Sequence, residues 1–387
     1  MTSSDTGAGP RAAPGRPGPL ARRLLPNEPR VAAPVREATL TAQYLLPAIA
    51  ELGACMLAVR LQVDAELGRA SPVKQGKAYP LGHCLEISLA VQDRLRSLDE
   101  SQLPEQAAAG LRALRAFQAA GGTVRRTWGA LREQYFQNAF QVGSLYVDVS
   151  NDTVTITKPK VEILPFDEAQ FVPIRDFVHF RQIGSGYWEG HWYANHLLPE
   201  LAPHCPLIHV KPNGHIKIHD AAQYMLALTR AGGFAPSAAV LREAPMPDAV
   251  FEQAATALRS AGYALPRDAA QGREQALQQC SRQRARRWHQ SPDVLKRVVQ
   301  DVQQANLRLV QHTANTHPSP TQDQAVKTIT IDNTDYDVAS LSQEAKVQLQ
   351  SIQFVDQELA RLQAQLAVLQ TARASYVQAL KSLLPPA

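Results

Sequence analysis

The 387 residues are enough for two or three domains with proper cores, and 45% apolar with 19% charged is the balance of an ordinary soluble protein. Four cysteines, Cys55, Cys84, Cys205 and Cys280, fit neither a zinc knuckle nor a disulfide-dense secreted scaffold, and the first apolar run, residues 52–59, is far short of the about 20 residues of a membrane span. The formal charge of +5 is concentrated in residues 1–36 (+4) and 280–300 (+5), so no basic groove runs through the rest and nucleic acid is a disfavoured partner. A reduced, cytoplasmic protein with no membrane partner, no metal and no other cofactor is expected.

Residues 1–36 are rich in Pro, Gly, Ala and Arg, and ordering them would cost backbone entropy with little burial to offset it. They read as a disordered basic tail. Residues 37–70 carry Leu45, Ile49, Leu52, Met56, Val59 and Val63 at helical spacing, with Pro47 marking a kink or a late start. A second helix is expected from Cys84 to about Leu98, with Cys84, Ile87, Val91, Leu95 and Leu98 on one face. A third runs from Pro104 to the Gly121-Gly122 stop. Residues 123–153 then form a small antiparallel sheet, read as three-stranded, with a tight turn at Gly143-Ser144.

Residues 160–164 suggest another short strand and 174–183 a short helix. Residues 206–220 read as a hairpin turning at Asn213-Gly214, a pair that tolerates positive φ. Helices follow at 221–231, 248–261, 267–289 and 292–312, and 313–324 has linker composition. The last unit, 327–384, opens with the hairpin TITIDNTDYDV. It continues into a helix on which Ile352, Val355, Leu359, Leu362, Leu366, Leu369, Tyr376, Leu380 and Leu383 keep heptad spacing, interrupted by Arg373. That seam, 352–383, is expected to make the protein a homo-oligomer.

Three constellations could carry chemistry. Cys84 follows Gly82-His83 at a helix start, where the helix dipole and free N–H groups favour a thiolate; the competing reading is a small core residue on a helical face. His191, His196, His204, His209, His215 and His219 cluster in sequence. A two-residue turn at Asn213-Gly214 would put His215 and His219 on one face of the hairpin and His209 on the other, which does not make a metal site. In GYWEGHWYANHLLPEL, the side chains of Tyr187, Trp188, His191, Trp192 and Asn195 could line a site for a sugar or peptide, or simply pack a loop over the sheet.

The order of a helix bearing Cys84, a strand YFQNAFQVG and a strand LYVDVS resembles the transglutaminase-like branch of the papain-like cysteine enzymes over about residues 79–153. On that resemblance Cys84 stands at the nucleophile position and Asp148 at the orienting acid. The catalytic His would fall at or beside Asn138, where this chain has Gln137 and Asn138, amides that take up no proton near neutral pH. The C-terminal stretch, with SLS-x-EAK, QFVD-x-EL and TAR-x-x-Y, is similar to a short family of uncharacterised bacterial and phage proteins, which implies a bacterial origin and an appended interaction module.

The sequence thus implies an α+β protein, helices packed on a small antiparallel sheet, in five parts. These are a tail (1–36), a core domain (37–265), a helical connector (266–312), a linker (313–326) and a hairpin with a coiled-coil helix (327–384). The expected function is an oligomeric binding or scaffold protein with a degenerate cysteine-peptidase-like core, taking a protein or peptide ligand. The alternatives are an active cysteine amidohydrolase or acyltransferase using Cys84 and Asp148, and a nucleic-acid-associated protein.

Overall fold

The computed structural model describes residues 24–74, 77–219, 222–316, 328–331 and 334–337, with Leu341, Ser342 and Ala345. The heptad seam at 352–383 lies outside the described residues. The protein is mixed α+β, its strands in small antiparallel sheets, and its contacts divide it into two units. The first comprises the chain up to Tyr187 together with Ala222–Leu228; the second comprises Trp188–Ala221 and the chain from Thr229 onward.

In the first unit, α1 (Pro34–Leu40) leads through a π turn at Thr41–Leu45 and a 3-10 turn at Leu46–Ala48 into α2 (Ile49–Ala70). The irregularity falls at Pro47, which has no N–H to continue the ladder. Leu52, Cys55, Met56, Val59 and Val63 of α2 are fully buried. By length and composition alone Pro34–Ala70 could cross a membrane, and 33% of its most apolar window is buried; Leu46, Leu57 and Leu61 are exposed.

A two-stranded ribbon, β1 (Val73–Lys74) and β2 (Lys77–Ala78), precedes α3 (Cys84–Ser97) and α4 (Glu105–Ala119). Helices α2 and α4 touch backbone to side at Gly110, where a Cβ would stand 2.0 Å from the Glu51 carbonyl oxygen. Strands β3 (Val124–Leu131), β4 (Tyr135–Val142), β5 (Leu145–Asp148), β6 (Glu162–Pro165) and β7 (Phe171–Val172) form an antiparallel sheet in the order β6-β5-β4-β3-β7. The expected three strands are therefore the centre of five. Residues 160–164 supply β6, and β7 adds the other edge with too short a strand to carry an alternation of its own.

Both faces of this sheet are covered, and every residue of β4 is buried. Phe140 and Val142 join Leu145, Val147 and Val149 in the core shared with α2, α3 and α4. Tyr135, Ala139 and Tyr146 face the other way, onto Leu131, Ala169 and Phe171. Helix α5 (Phe177–Tyr187) closes the unit's main stretch.

Residues 24–36, read from composition as part of a disordered tail, are ordered. Asn27 accepts the Trp128 backbone N–H at 2.8 Å, and the Arg125 guanidinium reaches the Glu28 and Arg30 carbonyls at 2.6 and 2.8 Å. Backbone pairing, which leaves no mark in composition, supplies what the segment lacks in apolar side chains.

The second unit contains β8 (His191–Ala194), β9 (Leu207–Val210) and β10 (Ile216–Ile218), in the order β10-β9-β8. Pairing of Val210 with Ile216 centres the turn on Asn213, so the loop has three residues, Pro212, Asn213 and Gly214, with Gly214 at φ +80. That moves the register by one from the two-residue expectation. His209 is cross-strand from Lys217 and shares a face with His215 and His219, correcting the face assignment read from the sequence.

Edge strand β10 is held by α10 (Pro292–Thr316), whose Asn306 side chain accepts the Ile218 N–H at 2.8 Å and donates to its carbonyl at 2.9 Å. Helix α6 (Gln223–Ala231) links the two units in sequence. It is followed in the second by α7 (Ala235–Leu241), not foreseen, then α8 (Asp248–Arg259) and α9 (Ala269–Ala285). Phe251, Ala255 and Leu258 pack with Ile208, Ile216, Ile218, Val302 and Leu309. Helix α10 extends through Thr313, Ala314, Asn315 and Thr316, which were read as linker; they contain no Pro or Gly, and the first breaker is Pro318. The hairpin of β11 (Thr328–Ile331) and β12 (Thr334–Asp337) forms as the alternation implies.

Candidate functional site

Cys84 is the first residue of α3, introduced by Gly82 at φ +76, whose N–H donates to the Thr153 carbonyl at 2.9 Å. That bond ties the helix start to the chain leaving β5. Directly under the helix start lies β4, and Asn138 Nδ2 stands 3.5 Å from Cys84 Sγ, with 9% of Cys84 and 7% of Asn138 exposed. One turn along α3, the Ser88 hydroxyl donates to the Asn138 carbonyl at 3.1 Å. The start of α3, the cysteine and the Asn138 amide of β4 are thus brought together.

The acid is not on that face. Asp148 accepts Gln137 Nε2 at 2.7 Å, the Tyr146 hydroxyl at 2.9 Å and the Ser150 backbone N–H at 2.7 Å, and it is fully buried. Gln137, Tyr146 and Asp148 alternate with Asn138, Val147 and Val149, so they occupy the sheet face opposite Cys84. Two side chains link the faces: Ser150 Oγ lies 3.1 Å from Asp148 Oδ1 and donates to the Asn138 carbonyl at 3.2 Å, and Gln137 Oε1 accepts the Asn138 backbone N–H at 3.2 Å. Gln137, the other amide at the expected His position, donates Nε2 to Asp148 at 2.7 Å and to the Ser150 carbonyl at 3.1 Å.

Among the described residues of the first unit, neither imidazole is directed at Cys84. The first unit contains two histidines, His83 and His179. His83 is fully buried, its Nδ1 3.0 Å from the Leu81 carbonyl and its Nε2 3.1 Å from Ser71 Oγ, so it points away from its neighbour. His179 Nε2 meets Glu133 at 2.6 Å, and its Nδ1 accepts the Arg175 N–H. Burial pushes the Cys84 thiol above its ordinary pKa against the Asn138 hydrogen bond, with Glu86 adding to the rise. The helix N-terminus alone does not overcome that desolvation.

Around the pair are aromatic rings. Trp128 is cross-strand from Asn138 and half-buried, its ring stacked 5.2 Å from Phe136 and 5.8 Å from Tyr224. Tyr187, also half-buried, meets Phe136 edge-on at 6.0 Å and Tyr135 at 6.3 Å, and burial raises its phenol, with Cys84 and Glu86 adding to the rise. Trp128 and Ser88 were not foreseen; the register of β3 on β4 places the first and the packing of α3 on β4 the second.

Tyr187 ends the first unit and Trp188 begins the second. Within the second, Trp192 is buried on β8 and stacks on His209 at 4.2 Å, with Trp188 at 5.8 Å and His219 at 5.2 Å. His191 is exposed, 6.4 Å from the Tyr193 ring. Asn195 is fully buried, donating to the Cys205 carbonyl at 2.9 Å and accepting the Leu198 N–H at 3.1 Å, and so fastens a turn. Among the described residues no three His, Cys, Asp or Glu side chains are placed to hold a metal ion.

Below the site lies a charged network that turn chemistry hid. Arg60, fully buried on α2, donates to Asp64 at 2.6 Å, to the Val149 carbonyl at 2.6 Å, and to both oxygens of Asp152 at 2.8 and 3.1 Å; Lys160 reaches both acids. Asp152 is therefore an ion-pair anchor for the chain after β5. No protein-family model matches this chain, and no curated protein or solved structure is significantly similar to it.

Proposed function

We propose that the first unit is a degenerate cysteine-peptidase-like domain that binds a protein or peptide ligand without turnover, within an oligomeric, cytoplasmic scaffold protein. The observation that carries this reading is the Asn138 amide at 3.5 Å from Cys84 Sγ, in a unit whose two imidazoles are both engaged elsewhere. An amide can hold a ligand by donating and accepting hydrogen bonds, but it cannot accept the thiol proton that acyl transfer requires. The half-exposed rings of Trp128 and Tyr187 beside the pair supply the apolar, hydrogen-bond-edged surface on which peptide side chains are held.

The test is alkylation of the native protein with iodoacetamide across pH 6–10, read by peptide mass. Cys84 that reacts no faster than an unactivated thiol near pH 7 supports binding without turnover; rapid labelling well below the ordinary range of about 8.5 favours the active-enzyme alternative. Assembly rests on the heptad spacing at 352–383. Truncation before Ser342 should reduce the mass by light scattering to that of a monomer, and an unchanged oligomer would remove the seam from the argument.

A further inference from the structure

The second unit holds a group of buried polar atoms that the fold leaves without hydrogen-bond partners. His204, in the turn before β9, is fully buried, and neither ring nitrogen is bonded. Its ring meets Phe234 edge-on at 4.8 Å, and the other contact of that phenyl ring is His289 at 5.7 Å, whose Nδ1 is likewise buried and unbonded. Thr229 is fully buried with an unbonded hydroxyl, and its carbonyl accepts the Phe234 N–H at 3.0 Å. His204 and His289 therefore flank one phenylalanine, itself held at φ +67 at the start of α7, and Thr229 is joined to it through that backbone bond. Leaving such groups unmatched in a buried place is unfavourable.

Positive charge borders the same place. Arg230 follows Thr229 and donates Nε to the His289 carbonyl at 2.8 Å and Nη2 to the Gln290 carbonyl at 3.2 Å, which fixes its guanidinium against this segment. Arg284 lies over Gly233, its Nε 3.5 Å from where a Cβ would be. Arg282, Arg286 and Arg287 are exposed at the same end of α9, and the groups whose charge bears on His204 are Arg230 and His289, with no acid among them.

We propose that His204, Thr229 and His289, with Arg230 and Arg284, form a binding site for a phosphate group. The chemistry fits an oxyanion, which accepts several hydrogen bonds at once and is matched by a guanidinium and by imidazole and hydroxyl donors. A cation is disfavoured by the two arginines and by the lack of any carboxylate. An apolar ligand would leave the nitrogens as unmatched as before.

The test is calorimetric titration of inorganic phosphate, and separately of adenosine monophosphate, into the full chain at low ionic strength. Saturable one-to-one binding is expected, weakened at least tenfold in Arg284→Gln and abolished in His204→Phe, which keeps a planar ring and removes both nitrogens. Tighter binding of the nucleotide identifies an esterified phosphate as the source; equal or weaker binding identifies free phosphate. Circular dichroism controls for folding, and Arg284→Gln, at an exposed position, keeps the test decisive if His204→Phe is unstable. Absence of saturable binding to the wild-type protein, or equal affinity in both variants, would overturn the proposal and leave the buried groups as ligands of ordinary internal water.

Discussion

Replacing Asn138 by His puts the argument about the cysteine to its sharpest trial. The imidazole Nδ1 is the same number of bonds from Cβ as the amide Nδ2, so Asn138→His should set a basic nitrogen about where Nδ2 now lies, 3.5 Å from Cys84 Sγ. Two unit charges at that distance in an effective dielectric of about 20 attract by about 5 kcal/mol. If half survives the burial that now raises the thiol, the Cys84 pKa falls by about two units and the thiolate fraction near neutrality rises roughly a hundredfold. Timed iodoacetamide labelling at pH 6–7, resolved by peptide mass, reads that fraction, with Cys55, Cys205 and Cys280 as internal references. All three are buried, and burial pushes Cys55 up to about 11 and Cys280 up to about 12. A folded Asn138→His protein in which Cys84 labels no faster than in the wild type would refute the reasoning, because it would mean that position 138 does not address the sulfur.

Arg60→Met should destabilise the first unit by about 3–5 kcal/mol in urea unfolding, since it leaves Asp152, 2% exposed, without its bidentate partner; a loss under 1 kcal/mol would show the network to be dispensable. Gly110→Ala should cost about 1–3 kcal/mol or more by parting α2 from α4, and an unchanged melting temperature would contradict the 2.0 Å approach to Glu51. Two buried groups should give pH dependences of opposite sign. Burial raises Asp148 to about 6 against its hydrogen bonds from Gln137, Ser150 and Tyr146, so the folded state holds that proton more tightly than the unfolded chain. The stability of wild type relative to Asp148→Asn should then fall by about 3 kcal/mol as pH rises from about 4 to 6. Burial lowers His204 to about 4, with Arg230 contributing, so relative to His204→Phe the wild type should gain a similar amount as pH rises from 4 to 6.5. Flat differences across those windows would refute both assignments.

Much of the local structure was legible because it depends on neighbours in the chain. The spacing of Leu52, Met56, Val59 and Val63 marks α2, Cys84 begins α3 where Gly82 and His83 stop the preceding loop, and Gly143-Ser144 turns β4 into β5. The pairing of Cys84 with position 138 was also within reach, through the order of helix and strands. What failed did so by small shifts with large effects. Asp148 is one residue out of phase with Val147 and Val149, and in a strand one residue is the difference between two faces. The hairpin at Asn213 turns over three residues instead of two, which carries His209 to the side of His219.

The sequence by itself determined most of the helices and strands and that position 138 carries an amide, because periodicity, turn residues and side-chain chemistry are properties of short stretches. The tertiary structure decided which faces meet. It placed Asp148 behind the sheet and Trp128 beside Asn138, made Asp152 the partner of Arg60, and set His204 and His289 against Phe234. These contacts join residues distant in sequence, and their free energies depend on burial and on register, quantities that exist only once the chain has packed.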